Sequence, residues 1–289
     1  MSRTRVLTDA QWELISPLMP SSDGKQGKPF RDHRQVVEGI IYRYRTGIAW
    51  RDLPAEFGPW QTVWKRHARY AADGTWDRVL AVVAHPDDES FGLGAILSTF
   101  AAAGAAVDVL CLTRGEASTL HGVEGDLSEI REHELRAAAD ALGARRVDLR
   151  TLPDGGLAGL AESVLDREVE RAVSATRPDG VITFDTTGIS GHPDHVAAAE
   201  AAIRAGGRHG LGVLAWTLPD EICRALSGEG FAGFLGRPAT EIDLVLAVDR
   251  AAQRDAVECH PSQAVPGSVL WRRLELQGDT EHLRWLRRP

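Results

Sequence analysis

From Arg78 onward the chain alternates short, unbroken apolar runs with longer amphipathic stretches, and that rhythm restricts the fold more than any other feature. Residues 79–84, 107–112, 147–152, 181–184, 213–218 and 242–248 read as strands. Residues 92–103, 128–142, 162–176 and 250–258, and a stretch beginning near Val196, carry helical spacing. A strand without polar alternation is buried on both faces, as in a parallel sheet covered by helices on each side. The expected fold over residues 77–289 is therefore α/β, with a mostly parallel sheet and helices on both faces.

Residues 1–76 have a different character. They hold 12 Lys and Arg against 8 Asp and Glu, whereas the rest of the chain holds 21 against 33. Five of the eight tryptophans also fall there, among them Trp12, Trp50, Trp60, Trp64 and Trp76. Thr8 is placed to cap a helix carrying Trp12, Leu14, Ile15 and Leu18, which Pro20 and the following Ser21-Ser22-Asp23-Gly24 end. A second helix is expected from Asp32 and a third over 59–72, the latter presenting Lys65, Arg66 and Arg69. The expectation is a small all-α segment at 1–76, joined without a flexible linker to a larger domain at 77–289.

Two short motifs carry the chemistry. His85-Pro86-Asp87-Asp88-Glu89 follows the first strand of the larger segment, and His192-Pro193-Asp194-His195 follows the strand at 181–184. In open α/β sheets functional groups gather beyond the carboxyl ends of strands, so both motifs lie where a site is expected. A catalytic zinc (Zn2+) site takes three protein ligands from His and Asp or Glu and leaves a position for water. His85, Asp88 and His195 meet that need. Asp87 is left as general base, and His192 to support the oxyanion or protonate the leaving amine. Two imidazoles and one carboxylate also suit ferrous iron (Fe2+). Arg114, Asp154 and His260 are further candidates for contacting substrate, while His121, His133, His209 and His282 read as surface residues. A dinucleotide site is excluded, because carboxylates stand where a glycine-rich turn would receive a pyrophosphate.

The sequence also supports two resemblances. Leu7-Thr8-Asp9-Ala10-Gln11-Trp12 together with residues 42–54 resembles the N-terminal helical segment of insertion-sequence transposases, which implies a role in gripping DNA. The two histidine motifs, with Gly92-x-Gly94, Thr113-Arg114-Gly115-Glu116, Arg131-x-x-Glu134-Leu135, residues 152–157 and His260-x-Ser262-Gln263, resemble the LmbE-like or PIG-L-type deacetylases. That likeness spans most of 78–265. It implies a Rossmann-like fold, a zinc ion on His85, Asp88 and His195, Asp87 as base, His192 beside the intermediate, and a substrate that is a small acetylated amino-sugar conjugate. Where some members carry a tyrosine two residues before the second motif, this chain has Ser190.

The competing functional reading is a DNA-binding protein whose basic helices act and whose larger domain is passive; a net charge of −12 over that domain opposes tight association with nucleic acid. Cys111, Cys223 and Cys259 form no metal-binding spacing and read as free thiols. No apolar run approaches the ~20 residues of a membrane span, and the N-terminus has no apolar signal core, so a cytoplasmic location is expected.

Overall fold

Thr8 opens the first helix through a capping box: its Oγ1 accepts the Gln11 N–H at 3.2 Å, and its own N–H donates to Gln11 Oε1 at 2.9 Å. The computed structural model describes residues 6–16, 19, 32–72, 77–119 and 125–289, and the chain divides into two compact units, Met1–Thr75 and Trp76–Pro289. The first unit contains α1 (Asp9–Ile15), α2 (His33–Thr46) and α3 (Trp60–Ala72). Asp32 caps α2, and Gly47 ends it in the left-handed conformation at φ 67°. Val36, Leu53, Phe57 and Val63 form a small core of this unit. Arg66 departs from expectation: it is buried, with Nη2 3.3 Å from His33 Nδ1, instead of being presented to solvent beside Lys65. The helix stop at Pro20 to Gly24, Leu18, Trp76, His121 and the side chains of Leu14 and Arg69 lie outside the described residues.

In the second unit the first apolar run becomes β1 (Arg78–Val83), central in a seven-stranded sheet of order β3-β2-β1-β4-β5-β7-β6. The parallel strands are β1, β2 (Ala106–Thr113), β3 (Arg146–Leu152), β4 (Gly180–Phe184) and β5 (Gly212–Thr217). Their side chains divide between two cores, which explains the unbroken apolar runs. Val79, Ala81 and Val83 pack with Ile96 and Leu97 of α5 (Gly94–Ala102) and Leu135 and Ala138 of α6 (Leu127–Ala141). Leu80 and Val82 pack on the other face with Leu165 and Val169 of α7 (Glu162–Thr176) and the alanines of α9 (Pro193–His209). The chain winds from β1 outward to β3 and then crosses back to β4, so the winding reverses between β1 and β4.

Four details differ from the sequence reading. The helix expected at 92–103 is α5, Gly94–Ala102, and a separate, unexpected short helix, α4 (Asp88–Phe91), precedes it. The helix expected near Val196 begins at Pro193, after a kinked turn, α8 (Gly188–Gly191). The strand β6 (Leu244–Ala247) pairs with an unanticipated antiparallel strand, β7 (Thr280–Arg287), after α10 (Asp220–Gly228), α11 (Ala251–Glu258) and α12 (Val269–Gln277). In β7 polar and charged residues are mixed with apolar ones, without an unbroken apolar run like that of β1. Its buried Glu281 is satisfied by Arg250 at 2.5 Å and by Trp216 Nε1 at 2.7 Å. His282, expected at the surface, is half-buried in the same strand, whereas His133 and His209 are exposed. Among the described residues no helix is long and apolar enough to cross a membrane. Cys111 and Cys223 are buried free thiols and Cys259 is partly exposed.

Candidate metal centre

β1 and β4 are hydrogen-bonded neighbours at the reversal of winding, and their carboxyl ends carry the two motifs. His85 leaves β1, Asp88 opens α4, and His195 stands in the first turn of α9. The three converge. His195 Nε2 lies 3.1 Å from Asp88 Oδ1, His85 Nδ1 lies 3.3 Å from His195 Nε2, and His85 Nδ1 lies 3.6 Å from Asp88 Oδ2. Each side chain is held from behind. Asp88 Oδ2 accepts the Ala84 and His85 N–H groups at 3.1 and 2.9 Å, which leaves Oδ1 for the site. His195 Nδ1 donates to the Gly188 carbonyl at 3.0 Å, and His85 Nε2 donates toward Asp154 Oδ1 at 3.1 Å and Asp194 Oδ2 at 3.4 Å.

These outer contacts fix the tautomers. Both ring protons are spent on the far side, so two imidazole lone pairs and a carboxylate oxygen face one small space, an arrangement that repels itself unless a cation is shared. The same demand for positive charge acts on the titrating groups. Burial opposes a charge on His85, yet its contacts with Asp154, Asp194 and Asp88 push it up to about 12. Asp88 is held well below the usual carboxylate range despite burial, chiefly by His195. The donor set fits a divalent cation that accepts imidazole and carboxylate, zinc or ferrous iron. His85, His192 and Asp194 form a second cluster of the right size. In that cluster Asp194 is fully buried and its oxygens already accept the Gly155 and Leu157 N–H groups at 2.8 and 2.9 Å, so it acts as a brace for His85.

Asp87 stands beside the cluster without joining it. Its backbone is strained, at φ 126° and ψ −29°, a region that side chains with a Cβ seldom enter. Two contacts hold it: its N–H donates to Glu89 Oε2 at 2.9 Å, and Oδ2 accepts Arg131 Nη2 at 2.9 Å. Arg131 is itself buried and also donates to the carbonyls of Gly115, at 2.7 Å, and Pro86. Gly115 must be glycine, since a Cβ there would come within 2.2 Å of the guanidinium. Burial, opposed by Arg131 and aided by Asp88, pushes the Asp87 carboxyl up to about 6. His192 caps α9: its Nδ1 accepts the Asp194 N–H at 3.2 Å, which places the ring proton on Nε2. Burial and the neighbouring imidazoles lower its pKa.

His85, Asp87, Asp88, His192 and His195 all line one cavity of about 370 Å3, together with Arg131, Asp154 and Gln263. The three candidates for substrate contact fare differently. Asp154 lines the cavity, but its Oδ1 faces His85 Nε2 and its Oδ2 accepts the Ala117 N–H, so both oxygens are already engaged within the chain. Arg114 is not in the cavity wall; it pairs with Glu132 of α6 at 2.8 Å. His260 is not at the rim but completely buried, 2.7 Å from Glu89, and its contacts with Glu89 and Glu134 outweigh burial to push it up to about 9. Sequence reasoning missed Arg131, Glu89 and Asp194 as supports. The only available signal was their place in the motifs, because spacing does not say which carboxylate faces a ring proton and which a lone pair.

Comparison with known proteins adds three findings. Residues 80–206 match the PIG-L family, described as GlcNAc-PI de-N-acetylase, and residues 7–80 match a putative transposase of the IS4/5 family. A 1D-myo-inositol 2-acetamido-2-deoxy-alpha-D-glucopyranoside deacetylase of Nakamurella multipartita is 32% identical over 249 residues, 66% of this chain and 82% of that protein. A protein of the same name from Kineococcus radiotolerans is 36% identical over 159 residues, and the chain spans only 44% of its length. Among solved structures, the zinc inhibited form of teicoplanin deacetylase Orf2 superposes with a TM-score of 0.56 at 22% identity, covering 72% of this chain and 97% of that one. This last likeness concerns the fold.

Proposed function

The chain belongs to the PIG-L family of de-N-acetylases, and from that membership we propose that it is a zinc-dependent hydrolase removing the acetyl group from an N-acetylglucosamine-type conjugate. The observation that carries the reading is the convergence of His85, Asp88 and His195 beside an Asp87 left out of the cluster. Bound zinc supplies Lewis-acid polarisation of the amide carbonyl and acidifies water at the site.

The chain's own residues do the rest. Asp87 Oδ2 is occupied by Arg131, so Oδ1 is the base that receives the proton of the attacking water. A carboxyl pushed toward neutrality is a stronger base than an ordinary aspartate, and it returns that proton to the departing amine as the C–N bond breaks. His192 Nε2–H donates to the carbonyl oxygen as charge develops there. Asp154 and Asp194 keep the His85 lone pair aimed at the metal position. The polar cavity suits a sugar, and an inositol-linked amino sugar is the substrate that the names of the relatives specify for those proteins.

The test is metal analysis of the purified chain with acetate release from N-acetylglucosaminyl inositol. One zinc per chain and turnover that collapses in Asp87→Asn support the reading; a folded, zinc-loaded chain that releases no acetate from any N-acetylglucosamine conjugate overturns it. Iron in place of zinc with turnover intact corrects the metal alone.

A further inference from the structure

We propose that the acyl side of this site is built for a chain longer than acetyl, a linear aliphatic acyl group of about six carbons, seated in an apolar cavity adjoining the metal centre. The proposal rests on the hydrolase reading above and specifies the class of amide it cleaves.

A second cavity, of about 180 Å3, shares Asp87, Asp88 and His195 with the polar one. The reacting carbonyl therefore sits at the junction, with the sugar on one side and the acyl chain on the other. Phe91, Phe184, Ile189, Trp216, Phe234 and Leu270 supply the walls of the second cavity. These are continuous with the metal centre, for the Phe184 ring stands edge-on to the His195 ring at 4.7 Å and tilts against Trp216 at 5.1 Å. Apolar cavities of ~150 Å3 hold a benzene ring, so a lone acetyl methyl leaves most of this one without contacts.

Its shape depends on a glycine. A Cβ on Gly92 would fall 2.4 Å from two Phe184 ring carbons and 3.1 Å from Trp216, so only glycine lets both rings lie back against the break between α4 and α5. Two polar groups of the wall, the Arg273 guanidinium and the Trp216 indole N–H, are already engaged. Arg273 donates to the Phe91 carbonyl and, at 2.9 Å, to Gln277 Oε1, and its guanidinium lies over the Trp216 ring at 4.9 Å. Trp216 Nε1 donates to Glu281 at 2.7 Å. A hydrocarbon chain matches such walls better than a charged or hydroxylated one.

The reaction is balanced by water alone: its oxygen and one hydrogen join the acyl carbon, the amide C–N bond breaks, the second hydrogen goes to the amine, and a hexanoic acid leaves. The experiment measures kcat/KM of the zinc-loaded full chain for N-acetyl and N-hexanoyl glucosaminyl inositol. Hexanoyl is expected to be favoured by at least ~10-fold. Val269→Trp, which narrows the cavity from its lining, is expected to lower the hexanoyl-to-acetyl ratio by ~10-fold or more. Turnover of the acetyl conjugate with none of the hexanoyl, or a ratio unmoved by Val269→Trp, overturns the proposal and leaves the hydrolase reading standing. Turnover of neither conjugate overturns the hydrolase reading, and calorimetric titration with hexanoate and acetate then decides the cavity. Hexanoate bound ~10-fold tighter, with the preference lost in Val269→Trp, upholds it, and equal or absent binding overturns it.

Discussion

Asp87 combines a reactive position with an unfavourable backbone. A non-glycine residue at φ 126° costs ~1–3 kcal/mol, and here Arg131 and Glu89 hold it in place. Asp87→Gly is accordingly expected to be more stable than Asp87→Ala by about 1 kcal/mol in denaturant unfolding, because glycine alone is relieved of the strain. Asp87→Asn is expected to lower acetate release ~10²–10⁴-fold while leaving zinc content unchanged, since the side chain is not among the converging donors. Asp154 acts through His85. Asp154→Ala is expected to weaken zinc binding ~10–100-fold in competition with a chelator, by freeing the ring that presents the donor atom.

At the scale of elements, the site depends on where β1 and β4 end and on what pins the segments beyond them. Asp185, the first residue after β4, is completely buried and accepts the Thr187 N–H at 2.9 Å, Arg237 Nη2 at 2.8 Å and, from β7, Arg284 Nη1 at 3.1 Å. Burial raises its pKa, but the hydrogen bond from Arg237, together with the other donors and charges, outweighs burial and leaves the carboxyl below its ordinary value. A depressed folded-state pKa gives stability that is present above the unfolded value of ~3.9 and is lost as pH falls through the folded value. Asp185→Asn should therefore lose ~3 kcal/mol in urea unfolding at pH 7, and its deficit against the parent should shrink below pH ~4. The strand β7 that brings Arg284 was illegible in the sequence for a related reason: its buried Glu281 looks like a surface residue until Arg250 and Trp216 are found against it. The helix at 162–176, by contrast, was legible to the residue, because apolar positions at helical spacing alone define its buried face.

At the scale of the whole molecule, two units of opposite charge character share one chain, and each has a core of its own. A chain of residues 77–289 is expected to hydrolyse the same conjugate within about twofold of the full chain's rate, measured at equal zinc loading, since, among the described residues, all those lining the polar cavity lie in the second unit. A larger loss would give the first unit a part in catalysis. The sequence by itself determined the α/β class, the order of the first six strands along the chain and the two histidine motifs, because apolar periodicity and residue chemistry are local properties. Only the tertiary structure decided that β1 and β4 lie side by side, that Asp154 and Asp194 serve His85 and Arg131 serves Asp87, and that Arg114 and His260 turn away from the cavity. Those outcomes depend on which groups across ~40–170 positions of sequence satisfy one another once water is excluded, and spacing along the chain carries no record of that pairing.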